Sequence, residues 1–375
     1  MSEIVIKKVI LHRLVMQLKN PFSTSFGTFK DKDFFIVEVV DQHGTQGFGE
    51  SVAFPVPWYT EETVETNAHV IESFLIPLLF DAPFTHPEQV GQRFQSIRRN
   101  NMAKAAVEGA IWDLYANRSN LPLAKVIGGT KQTIDVGVSI GIQSSTSKLV
   151  EIISQHVQEG YKRVKLKIKP GQDLEVLAEV RKKFPNLPLM VDANSAYTLK
   201  DIDRLKEFDN FHLQMIEQPL AHDDFIDHAK LQSQLETPIC LDESIHTYSD
   251  TKTAIALGSC RIINIKVGRV GGITEAKKIH DYCASRKIPV WCGGMLEAGV
   301  GRAHSLAIAS LPQFTLPGDT SASNRYFAKD IIRPEVTMTN GTVQIPMQAG
   351  IGYQIDWEAL EEYRIDKKVW NNMEA

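Results

Sequence analysis

Five residues with reactive side chains recur along this chain at a nearly constant interval. Lys167, Asp192, Glu217, Asp242 and Lys266 are separated by gaps of 25, 25, 25 and 24 residues. Each closes a short apolar run: RVKLK, LPLMVD, LQMIE, TPICLD and RIINIK. An interval of that size holds one strand, one turn, one helix and a second turn. Between the runs lie stretches with apolar residues three and four apart, such as SKLVEIISQHVQEG and ITEAKKIHDYCASRK, which predict helices. Strands that alternate with helices pair in parallel, because a parallel pair needs a crossover of this length. Eight strand-like runs can be counted, ending near Ile140, Lys167, Asp192, Glu217, Asp242, Lys266, Gly293 and Asp319. Eight such units close into an α/β barrel whose functional mouth lies at the strand C-termini. An open doubly wound sheet is the competing architecture, but it usually carries a glycine-rich phosphate turn after its first strand. Neither G-x-G-x-x-G nor G-x-x-x-x-G-K-[ST] occurs.

The N-terminal part reads differently. IVIKKVILHRLVMQL and DFFIVEVVDQ alternate as strands, and DQHGTQG turns the chain into a third, GFGE. Two helices follow, TEETVETNAHVIESFL, with Thr60 as its cap and Glu61 or Glu62 in its first turn, and MAKAAVEGAIWDLYA. The expected division is an α+β capping domain over 1–125, the barrel over 126–320, and a tail over 321–375 that packs back on the cap. Asn340-Gly341 marks a tight hairpin in that tail. The net charge of −4 provides no basic field for nucleic acid or anionic lipid. No apolar run is long enough to span a bilayer, and MSEIVIKKVI is a poor signal peptide, so a cytoplasmic protein is expected. Cys240, Cys260, Cys283 and Cys292 form no C-x-x-C pair and read as buried free thiols.

At strand C-termini, Asp192, Glu217 and Asp242 would converge from neighbouring strands about 5 Å apart. Three like charges so close repel unless a cation sits among them. Oxygen ligands without His or Cys point to Mg²⁺, with Mn²⁺ expected to substitute. Taken singly, each acid more often caps a helix or pairs with a base; it is the shared phase that argues for a metal. Glu243 follows Asp242 and points the other way on a regular strand, so the ligand role goes to Asp242. Asn194, two residues past Asp192, is placed to bond Asp192 or substrate, or simply to form the turn.

Lys165 and Lys167 share one face of their strand, and Val164, Leu166 and Ile168 share the other. The apolar face belongs against the helices, so the lysines point inward. A neighbouring ammonium lowers a lysine's pKa, which would make Lys167 a base, with Lys165 depressing it or anchoring a substrate carboxylate. Lys266 would approach from the opposite side of the mouth. Arg269, before Gly271-Gly272, is placed to tune Lys266 or position substrate, or else is an exposed loop arginine. Two amines around a metal-held carboxylate suit removal of the proton beside that carboxylate, because cations stabilise the resulting ene-diolate more than the ground state.

At these residues the chain resembles the enolase superfamily in its muconate-lactonising subgroup. The carriers are KLK at 165–167, VDAN at 191–194, IEQP at 216–219, LDES at 241–244 and IKVGRVGG at 265–272. Strand seven reads PVWCGGM, without the histidine of the mandelate-racemase type. The resemblance implies a (β/α)7β TIM-like barrel lacking its eighth helix. KLKIKPG, GGMLEAGVGR and GVSIGI narrow it to the o-succinylbenzoate synthase and N-succinylamino acid racemase family. That family dehydrates a cyclohexadiene hydroxy-acid in menaquinone synthesis, and some members racemise N-succinylamino acids. By resemblance, Lys167 is the base and then the acid. Lys266 is the cation near the dienolate or the second base, and Arg269 marks members that racemise.

Substrate choice is expected in the cap loops PFSTSFG, which contains Phe22, and FPVPWY, with plain interdomain packing as the alternative reading. Ser139, Met295, Leu296 and Ser321 are expected at the mouth. A muconate cycloisomerase, a dipeptide epimerase and a non-catalytic metal-binding scaffold remain competing readings; GDTSAS lacks the paired acids expected of an epimerase. The partner implied is a small carboxylate substrate, and symmetric self-association is expected.

Overall fold

The computed structural model describes residues 2–23 and 28–373; the Phe22 and Ser23 side chains lie outside the described residues. The cap is built on β1 (Ile6–Ser23), β2 (Thr28–Asp41) and β3 (Gln46–Glu50). The barrel region adds β4 (Thr133–Asp135), β5 (Val138–Ile140), β6 (Val164–Lys167), β7 (Leu189–Asp192), β8 (Ile216–Glu217), β9 (Ile239–Leu241), β10 (Ile262–Ile265) and β11 (Val290–Cys292). The tail contributes β12 (Ile332–Arg333), β13 (Thr342–Gln344), β14 (Gln354–Ile355) and β15 (Arg364–Asn371).

Strands β5 to β11 form one seven-stranded parallel sheet in chain order. Helices such as Thr146–Gln158, Leu174–Lys183 and Ile273–Ser285 make the crossovers. The eighth strand-like run needs correction, because it forms no ladder. Single bridges from Phe314 to Val290 and from Gly318 to Val136 close the sheet on itself. Pro317 has no N–H to donate, which limits pairing there.

Period-two alternation sets what faces inward. Val164 and Leu166 join the core between sheet and helices. Met190, Met215, Cys240, Ile262 and Trp291, from different strands, pack together as a plug inside the barrel. Met190, Met215 and Cys240 lie two residues before Asp192, Glu217 and Asp242. Each acid therefore stands one step above the plug, at the mouth. The four cysteines are buried and free.

In the cap, β15, β1, β2 and β3 form an antiparallel sheet, so the end of the chain pairs with its beginning. Helix Asn101–Arg118 packs on β3, where Gly47 and Gly49 let the backbones approach. A Cβ at Gly49 would overlap the Ala106 carbonyl. Gly49→Ala is therefore expected to cost about 1–3 kcal/mol through overpacking, read as a lower urea midpoint. The helix expected to start at Thr60 starts later, at Val64, capped by Thr63 in a reciprocal pair with Thr66. Glu62 is not in its first turn; it reaches over to helix Asn101–Arg118 instead.

Candidate active site

Five strand ends deliver the reactive residues. Lys167, Asp192 and Glu217 are the last residues of β6, β7 and β8, while Asp242 and Lys266 directly follow β9 and β10. Lys167 stands opposite Asp192 in the ladder, and Asp192 opposite Glu217. Between the two lysine-bearing strands lie β7, β8 and β9 on one side, and β11, the closing segment and β5 on the other. Lys167 and Lys266 thus face each other across the mouth.

Lys167 Nζ donates to Asp192 Oδ2 and Asn194 Oδ1, both at 2.6 Å. Asn194 and Ser195 have φ of 43° and 62°, a left-handed turn that asparagine tolerates. This turn brings the Asn194 amide back over the strand end, where Nδ2 also donates to Glu243 Oε1 at 2.7 Å. Lys165 is buried, with Asp319 at 2.8 Å, Glu217 at 3.1 Å and Asp192 at 3.6 Å. Burial opposes its charge, but those carboxylates outweigh burial and raise its pKa. Lys165 is a fixed cation whose charge is shared among three acids. Burial pushes the Asp192 carboxyl up, yet Lys167 and Lys165 outweigh it and hold it at about 2. Glu217 is shifted up, by burial and then by Asp192's charge.

On the opposite flank Lys266 Nζ lies 2.8 Å from Asp242 Oδ2 and donates to the Tyr59 hydroxyl at 2.9 Å. It also sits 4.6 Å above the centre of the Tyr59 ring. Arg269 is neither a loop arginine nor at the cavity wall. It is 1 % exposed behind Asp242, pairs with that carboxylate, and donates to Ile245 O and Tyr59. Gly293 leaves room for both Asn264 and Lys266, because a Cβ there would stand 2.5 Å from the Asn264 amide oxygen and 2.6 Å from Lys266 Cε. Gly293→Ala is expected to displace the amine and lower turnover by ~10²-fold, with an unchanged circular dichroism spectrum.

The cavity between these groups measures about 560 Å³ including its open mouth. Lys165, Lys167, Asp192, Asn194 and Lys266 line it. So do Ser139, Met295 and Leu296. Ser321 is a correction: it lies behind the wall, bonded to the Tyr161 hydroxyl at 2.9 Å. The Phe22 side chain and residues 24–27 lie outside the described residues. Phe54, Trp58, Tyr59, Gly294, Asp319 and Tyr326 complete the lining. No signal in the sequence marks Tyr59 or Asp319 as a site residue; FPVPWY signals only an aromatic lid.

As the side chains lie, no three acids, histidines or cysteines among the described residues converge closely enough to hold an ion. Asp192, Glu217 and Asp242 are each turned onto an ammonium or guanidinium instead. The donor chemistry nevertheless fits a hard dication: all three supply oxygen, and Asp192 and Glu217 are ladder neighbours. Glu243 adds an unpartnered buried oxygen, Oε2, beside Asn194. Coordination requires the three carboxylates to rotate off their basic partners.

A barrel with acids on successive strand ends, inward lysines on opposed strands and an α+β cap defines a class, and sequence comparison agrees. Residues 6–128 match the mandelate racemase / muconate lactonizing enzyme N-terminal domain, and 148–359 match the enolase C-terminal domain-like family. The chain belongs to this family of the enolase superfamily. It is 61 % identical over 358 residues to an o-succinylbenzoate synthase of Geobacillus kaustophilus, covering 96 % of each chain. It is 43 % identical to an N-succinylamino acid racemase of Thermus thermophilus, covering 94 % of this chain and 95 % of that one. A crystal structure of an enolase-superfamily member from Listeria innocua superposes with a TM-score of 0.97 at 48 % identity, over 98 % of this chain and all of that one.

Proposed function

We propose that this protein is an o-succinylbenzoate synthase that also racemises N-succinylamino acids. The observation that carries the reading is the opposition of Lys167 and Lys266 across one cavity, with three acids on the strands between them. In this reading Lys167 takes the proton α to the substrate carboxylate, giving an ene-diolate. The C–O bond to the departing hydroxyl then breaks, and Lys167 returns its proton to that oxygen, so that water leaves from the same face. Lys266 remains protonated, in keeping with its raised pKa: burial works against its charge, and Tyr59, Glu217 and Glu243 outweigh it. In racemisation Lys266 exchanges a proton on the opposite face. Asn194 holds Lys167 in place, and Lys165 serves as fixed positive charge beneath the reacting carbon.

Asp192, Glu217 and Asp242 would hold Mg²⁺ or Mn²⁺, which supplies positive charge to the two carboxylate oxygens as the proton leaves. Phe22, Ser139 and Met295 are proposed to contact the acyl part of the substrate. Arg269 acts from behind Asp242. Residues 1–125 and the tail 321–375 form the specificity cap, and 126–320 carry the chemistry. Asp319 is taken up by Lys165 and Arg163, which leaves it unsuited to hold the amine of a dipeptide. Among the described residues no helix is long and apolar enough to cross a membrane. A cytoplasmic setting and a symmetric homo-oligomer complete the proposal.

The deciding experiment offers purified protein the cyclohexadiene hydroxy-acid and an N-succinylamino acid, each with Mg²⁺. Dehydration with the larger kcat/KM supports the assignment; racemisation alone makes the protein a dedicated racemase. Chelation is expected to abolish both reactions and lower the melting temperature, with Mg²⁺ or Mn²⁺ restoring both properties.

A further inference from the structure

Tyr59 belongs to the cap, yet its hydroxyl touches Lys266, Arg269 and Asp242 of the barrel. Something must hold a loop residue at that depth. Three residues on, Glu62 is buried and accepts from the backbone N–H groups of Met102 and Ala103 at 2.9–3.1 Å. These are orphan donors at the start of helix Asn101–Arg118. Asn100, the residue in the capping position, makes no side-chain cap, and both Arg99 and Asn100 have positive φ (50° and 52°). The helix start is therefore capped from the active-site loop rather than by its own flanking residue, Asn100.

The same helix start reaches into the barrel. Asn101 is buried, and its Nδ2 donates to His246 O at 2.9 Å and Arg269 O at 3.1 Å. Arg269 ends its own contacts on Tyr59 and Asp242. These contacts, joined by the backbone between Tyr59 and Glu62, form a closed ring: Tyr59, Glu62, the helix start, Asn101, Arg269 and back to Tyr59. Lys266 joins it through the Tyr59 hydroxyl, one residue before the short helix Val267–Val270. On the other side of that helix, a Cβ at Gly268 would overlap Val52 of the cap. The turn carrying Lys266 is thus gripped between two pieces of the cap.

We propose that Asn101 and Glu62 are positioning residues that tie closure of the cap to the orientation of Lys266. Lys167 lies outside the ring, bonded to Asp192 and Asn194, and should not feel its loss. The inference rests on the reading of Lys167 and Lys266 as bases for opposite faces of the substrate.

The test is exchange of the α-proton with solvent deuterium, followed separately for each enantiomer of an N-succinylamino acid with Mg²⁺-loaded full-length enzyme. In Asn101→Ala, exchange of the enantiomer served by Lys266 is expected to fall ~10- to 100-fold, the scale of a small misplacement, while exchange of the other is unchanged. Glu62→Ala should show the same asymmetry, and Glu62→Gln, which keeps an acceptor for the helix, should recover most of it. Glu62→Ala carries the test by itself if Asn101→Ala does not fold. Equal loss for both enantiomers, or no loss, overturns the positioning role. Wild-type enzyme that exchanges neither enantiomer overturns the two-base reading itself, and this inference with it.

Discussion

Lys167→Ala is expected to lower kcat/KM for dehydration by ~10³-fold or more, because one amine both removes the α-proton and protonates the departing oxygen. The fold should survive, since Lys167 is half-buried at the rim and its amine bonds Asp192 and Asn194 at the cavity. Its removal leaves Asp192 with Lys165 still 3.6 Å away, so the acid is not stranded without a cation. The informative control is metal binding followed calorimetrically: retained Mg²⁺ affinity with lost turnover places the defect in proton transfer. Unchanged turnover would remove Lys167 from the mechanism.

Lys266→Ala is expected to separate the two reactions. Racemisation needs proton delivery to both faces, so it should fall by ~10³-fold, as loss of an acid–base group predicts. Exchange of the enantiomer served by Lys167 should persist, because that amine is intact. Dehydration should also fall, by a smaller factor, through loss of positive charge near the dienolate. The substitution leaves Asp242 paired with Arg269, which limits the structural damage. Loss of exchange for both enantiomers together would argue that Lys266 holds the site in shape rather than moving a proton.

Much of this architecture was legible in one dimension. The barrel followed from the 25-residue interval, because a parallel strand must be followed by a crossover of that length. The inward direction of Lys165 and Lys167 followed from alternation with Val164 and Leu166. The helix is capped by Thr63 and not by Thr60; both residues are good caps, and only the packing of Glu62 on another helix decides between them. The eighth run looked like a strand because its composition is apolar, but Pro317 and Gly318 leave it with single bridges. Ser321 is expected at the mouth, whereas its hydroxyl turns to Tyr161.

By itself the sequence determined which strand ends carry acids and amines, and on which face, because both properties depend on local period. The tertiary structure alone decided which side chains meet from distant segments. Tyr59 reaches Lys266 across 207 positions, and Lys165 is held by Asp319 from the closing segment. The clearance left by Gly293 and the burial of Arg269 behind Asp242 are of the same kind. A period along the chain reports phase within one element; it carries no record of which loop the closed barrel and its cap bring alongside.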